Sequence, residues 1–162
     1  MDRPLKSTPG CPHSGWEWLG ATDLHQDEGR EFGDYEDCDF CWKEQIRYVH
    51  SLRHSDWKHV ISVGRICANH LSGDQNVNIT EKRLRNRAQR RLSFPKLKSW
   101  KISSRGNEWM NYQGHHIVLI HWSSGKTRLR IDGELGKLDF ENAAKAKLRA
   151  FDVVMRRVEL GK

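Results

Sequence analysis

Four residues stand in two short pairs: Cys38 and Cys41 enclose Asp-Phe, and Cys67 and His70 enclose Ala-Asn. Thiolate and imidazole are soft or borderline donors, and a two-residue spacing puts both members of a pair on one side of an ion. Two such pairs supply the tetrahedral set of a structural zinc site. The 25 residues between Cys41 and Cys67 leave room for one hairpin. A helix beginning at the second pair would favour the thiolate there through its dipole. His50 is an alternative fourth donor, and Cys11 with His13 is another. Zn2+ held by Cys38, Cys41, Cys67 and His70 has no open position, so its expected role is structural. In so short a stretch, metal binding is expected to supply most of the local folding free energy.

The same residues also admit a catalytic reading. His50 on a strand, followed by Asn69 and His70 on a helix, resembles the His–Asn–His nucleases. That resemblance implies a strand histidine that activates water and a divalent ion near the scissile phosphate. Val49 precedes His50 where that family has an acidic residue, and His70 is claimed by zinc. No glycine-rich phosphate loop and no nucleophile signature occurs. The expected catalytic set is therefore empty.

A second chemistry is cationic. Ten Lys or Arg and one carboxylate lie between Glu81 and Arg105. Arg83, Arg85, Arg87, Arg90 and Arg91 cluster there, and Lys126, Arg128 and Arg130 are spaced by two further on. Spacing by two puts the last three on one face of a strand. These eight residues are the expected phosphate contacts, with a steep salt dependence. Trp100 and Trp109 are candidates for base stacking or for core.

The elements that must position these groups follow from periodicity. Residues 1–36, broken by Pro and Gly, are expected to be an acidic leader, able to order on contact. Residues 37–75 read as the metal module: Cys pair, hairpin, short helix. Residues 76–97 read as a basic helical linker capped by Thr80, with Leu84, Ala88 and Leu92 as its apolar stripe and Pro95 as its stop. Residues 98–162 read as a β-β-β-α module, with strands near 108–112, 117–122 and 126–131 after a short extended piece at 100–103. Asp139 is the expected cap of its helix, whose stripe is Ala144, Leu148, Phe151, Met155 and Val158. The fold class is α+β.

The order knuckle, hairpin, helix, carried by Cys38, Cys41, Cys67 and His70, resembles the treble-clef zinc finger. Arg47-Tyr48-Val49-His50 with Val63-Gly64-Arg65-Ile66-Cys67-Ala68 is similar to small zinc modules of uncharacterised bacterial and phage proteins. Those modules carry Gly after the knuckle, where this chain has Trp42. The segment Ile117–Trp122, the Gly125-Lys126 turn, Arg128, Arg130 and the helix 142–152 loosely resemble the sheet-plus-helix DNA-binding domains of phage integrases and plant transcription factors. That resemblance implies a sheet that docks on DNA.

Charge completes the reading. Residues 1–41 carry 10 acidic and 3 basic side chains, and residues 42–162 carry 25 basic and 11 acidic. Such a cationic body points to a polyanionic partner, DNA or RNA. The acidic leader would compete with it, and deleting residues 1–36 would then tighten binding. No apolar run is long enough for a membrane span, and no export signal is read, so an intracellular, cytoplasmic, membrane-free protein is expected. The expected function is non-catalytic nucleic-acid binding by a zinc protein. The rival is a protein–protein adaptor, or a phage or mobile-element inhibitor, of a host nucleic-acid-processing enzyme.

Overall fold

The computed structural model of the chain describes residues 4–26 and 35–162. The chain is a mixture of helix and sheet in two compact units, Met1–Ala88 and Gln89–Lys162. The boundary falls inside one long helix, so the basic segment belongs partly to each unit.

The first unit is built on a three-stranded antiparallel sheet. Its strands are β1 (Glu17–Asp23), β4 (Tyr48–His54) and β5 (Trp57–Val63), in the order β1-β4-β5. Two short strands, β2 (Glu36–Asp37) and β3 (Gln45–Ile46), pair across the Cys38–Cys41 knuckle. Helix α1 (Arg65–Ser72) follows β5 and ends on Gly73 in the left-handed region, the usual glycine stop. Val49, Leu52, Ile61, Val63, Ala68, Leu71 and Val77 pack into one core with Leu5 and Trp16.

The leader is therefore not loose in its described part. Residues 17–23 are a strand hydrogen-bonded to β4, and Leu5, Cys11, Trp16 and Leu24 are buried. A turn at Leu5–Ser7 donates Leu5 N–H to Asp39 O and Lys6 N–H to Phe40 O, which ties the chain start to the knuckle. The glycines that suggested disorder sit at turns and at the irregularity in β1, where Gly20 takes a φ of 144°. Gly29, Gly33 and most of the acidic run lie outside the described residues. Deleting 1–36 would remove a strand and part of the core, so it cannot report on masking alone.

Helix α2 (Asn76–Ser93) starts four residues before Thr80. Asp74 accepts from Asn76 N–H at 2.8 Å and holds that start. The buried positions on α2 are Val77 and Glu81; Leu84 and Ala88 are half-buried and Leu92 is exposed. A buried carboxylate, not the leucine stripe, is the main polar anchor of this helix.

The second unit is a five-stranded antiparallel meander where three strands were expected. Its strands are β6 (Lys101–Ile102), β7 (Glu108–Tyr112), β8 (His115–His121), β9 (Thr127–Ile131) and β10 (Glu134–Phe140), in that order across the sheet. The two additional strands are its edges. Both are almost wholly exposed, so neither shows the in–out alternation that marks a half-buried strand. Gln113-Gly114 and Asp132-Gly133 close two hairpins with positive φ at both residues, as tight right-twisted hairpins require. Helix α3 (Ala143–Glu159) covers one face, with Ala146, Ala150, Phe151, Val154 and Met155 against Met110, Ile117, Leu119, Leu129 and Ile131. Its cap is Asn142, which accepts from Lys145 N–H at 2.9 Å; Asp139 lies within β10. The expected stripe was turned by a fraction of a helical turn: Phe151 and Met155 are buried, but Ala144 and Val158 are exposed. No helix among the described residues is long and apolar enough to cross a membrane.

Candidate functional site

The knuckle is formed by backbone first. Trp42 N–H donates to Cys38 O at 2.9 Å, and Cys38 N–H donates to Glu44 O at 3.1 Å, so the chain folds tightly around the two sulfurs. Trp42 takes a φ of 56°, the conformation that a glycine would adopt without cost. The knuckle keeps its shape with an indole in that place because both flanks are tied down. Asp39 N–H donates to Ser62 O, and Ser62 N–H donates to Asp39 Oδ2.

The sulfurs of Cys38, Cys41 and Cys67 all lie within 4.8 Å of one another. Cys67 reaches them from the first turn of α1, and Gly64 N–H points at Cys38 Sγ at 3.5 Å. Cys38 and Cys67 are buried and Cys41 is half-buried. The hydrogen bond shared with Cys67, helped by Gly64 N–H, holds the Cys38 thiol down at about 5, against a rise from burial. The same bond and the neighbouring negative charge push the Cys67 thiol up. A cation among the sulfurs favours their ionised form. The group can therefore hold a metal ion, and its donors are the soft type that zinc and related ions select.

Neither expected histidine completes this group. His70 is exposed on α1 and is not among the three clustered ligands. His50 is fully buried and both ring nitrogens are engaged. Trp18 Nε1–H donates to His50 Nδ1 at 3.2 Å, and His50 Nε2 lies 2.8 Å from Glu81 Oε2. An indole N–H only donates, so Nδ1 is the acceptor and Nε2 carries the proton that Glu81 receives. His50, the residue on which the nuclease reading rests, is thus closed off from solvent with both nitrogens engaged. Cys11 is buried beside Pro12, with its thiol pushed up by burial, and does not join the three sulfurs; nor does His13, stacked against Phe40.

The expected phosphate contacts divide. Arg91 is ion-paired with Asp152 through two bonds of 2.7 and 2.8 Å, Arg85 with Glu81, and Arg128 with Asp139 at 2.7 Å. Arg87 is half-buried. Arg83, Arg90, Lys126 and Arg130 are exposed. The sheet face opposite α3 is open. One row crosses all five strands there: Lys101, Trp109, Val118, Arg130 and Leu135. Lys101 Nζ lies 5.0 Å from the Trp109 ring centre, and the His116 ring is 5.6 Å from it. The next row holds Ile120, Arg128 and Asp139, with Arg128 5.7 Å from the Trp122 ring. Trp100 is on the other side, within the core against Phe94 and under Lys147.

Sequence reasoning did not find Glu81 or Trp18 as partners of His50. Glu81 carried one signal: it is the sole carboxylate at the head of a strongly basic run. No family model, no curated protein and no solved structure matches this chain.

Proposed function

We propose that this chain is a non-catalytic nucleic-acid-binding protein with a structural Zn2+ in its first unit. The observation that carries the nucleic-acid part is the open sheet face of the second unit. It places cations and flat aromatic rings side by side in register: Lys101 with Trp109, Arg130 beside Val118, Arg128 with Trp122. Cations neutralise phosphates, and indole faces accept bases or sugars. A face meant only for solvent has no need of two partly exposed tryptophans each stacked with a cation. Arg83 and Arg90 on α2 extend the cationic surface of the chain.

The order of knuckle, β4–β5 hairpin and α1 supports a treble-clef-like reading of the first unit. Cys38, Cys41 and Cys67 supply three of the four positions of a tetrahedral Zn2+, and the fourth belongs to a donor outside this trio. The ion would fasten the knuckle to α1.

A gel-shift series with single-stranded DNA, duplex DNA and RNA at two salt concentrations tests the reading. Binding is expected at low salt and falls as salt rises. The double variant Lys126→Glu, Arg130→Glu is expected to weaken it and to flatten the salt slope by about two. Failure to bind any of the three at low salt refutes the reading and turns attention to a protein partner.

A further inference from the structure

The first unit contains a cavity of about 450 Å³ that shares Gly64 with the metal centre. Its size falls in the range of small-ligand sites, roughly 300–1,000 Å³. Three guanidinium groups line it, from Arg47, Arg65 and Arg85, together with the rings of Tyr35 and Tyr48.

The guanidiniums are held from behind by two buried carboxylates. Asp23 takes Arg47 through two bonds of 2.7 and 2.9 Å. Glu81 Oε1 takes Arg85 at 2.7 Å and lies 3.6 Å from Arg65. Arg85 also lies over the Tyr48 ring at 4.6 Å, and Arg47 at 5.1 Å. Burial decides what a ligand meets. The Glu81 side chain is 3% exposed, whereas Arg65 and Arg85 are 50% and 61% exposed. Glu81 is withdrawn and the guanidiniums are offered, with the half-buried Glu44 carboxylate also on the wall. A guanidinium has five N–H donors in a fixed plane, and a carboxylate anchor uses at most two or three of them. The donors that remain match the oxygens of a phosphate.

We propose that this cavity binds the phosphate of a nucleotide, with Arg65 and Arg85 as its forks and the tyrosine-lined wall beside the planar base. The nucleotide is either free or the terminal residue of a nucleic-acid strand, and the chemistry recognised is the same. The site lies wholly within the first unit and does not depend on the sheet face.

Calorimetric titration of the full chain with AMP, adenosine and inorganic phosphate tests this. AMP is expected to bind saturably, and adenosine at least tenfold more weakly. Arg65→Lys and Arg85→Lys keep the charge but lose the fork, and each is expected to weaken AMP about tenfold. Thermal melts of both variants check that they fold, and Arg105→Ala, on an exposed turn, is expected to change nothing. Equal binding of AMP and adenosine, no heat with AMP, or wild-type affinity in both lysine variants overturns the proposal. Oligonucleotides with a 5′-phosphate or a 5′-hydroxyl then separate the sources. An Arg85-dependent preference for the phosphorylated strand assigns a strand terminus, and no preference alongside AMP binding assigns the free nucleotide.

Discussion

Removing the metal from the first unit is expected to weaken it without unfolding it. The three sulfurs lie within 4.8 Å of one another, but the unit also has a hydrophobic core from Leu5 and Trp16 through Leu52, Ile61 and Val63 to Val77. A ligand at about 1,000 times its dissociation constant stabilises a fold by about 4 kcal/mol. For a domain of under a hundred residues, each kcal/mol moves the melting temperature by about 4–8 °C. Chelation is thus expected to lower the melting temperature of the first unit by roughly 15–30 °C. Without metal, Gly64 N–H still points at Cys38 Sγ and the hydrophobic core is unchanged, which is compatible with a folded apo state. Calorimetry with and without chelator gives the shift, elemental analysis gives the stoichiometry, and near-ultraviolet circular dichroism of the tryptophans reports packing. An unchanged melt with no bound metal refutes the metal centre. Complete loss of tertiary signal at 25 °C refutes the claim that this core holds by itself, and restores the expectation that the ion supplies most of the folding energy.

Other expectations follow from single contacts. His50→Ala leaves Glu81 Oε2 and the Trp18 N–H without their partner, while Arg85 still holds Glu81 Oε1, and is expected to cost about 2–3 kcal/mol in urea unfolding; a loss under 1 kcal/mol contradicts the buried contacts. Trp42→Gly relieves a left-handed residue of about 1 kcal/mol of strain and is expected to leave metal stoichiometry intact; loss of the metal would show that the indole itself shapes the knuckle. The Arg128 hydrogen bond holds the Asp139 carboxyl below its usual range. Its contribution is present above about pH 4 and is lost as pH falls through the lowered folded value. Carboxyl-carbon NMR should show that low midpoint and its return to the ordinary range in Arg128→Ala; an ordinary midpoint in the wild type refutes the pairing. Deleting residues 1–36 removes β1 and is expected to abolish the cooperative melt of the first unit; a retained transition would mean that β4 and β5 need no third strand.

The sequence by itself determined the features that are local. The x2 spacing of Cys38 and Cys41 and the position of Cys67 announced the three sulfurs. The apolar run at 117–122 and the alternation in 126–131 announced β8 and β9. Tertiary structure decided the rest. A strand such as β1, broken in register at Gly20, or β10, exposed on both faces, has no period to read; each exists because a neighbour offers free N–H and C=O groups. His50 meets Glu81 across 31 residues, and Trp18 meets His50 across 32. Such meetings depend on which strands pair and in which register, and no spacing in the chain encodes them. His70 carried the right donor at the right spacing, yet α1 begins at Arg65, so Cys67 sits in the first turn and His70 a turn beyond. The Cys67 side chain meets the other two sulfurs while His70 is left exposed, and which face of α1 packs against the knuckle is set by tertiary packing, not by spacing.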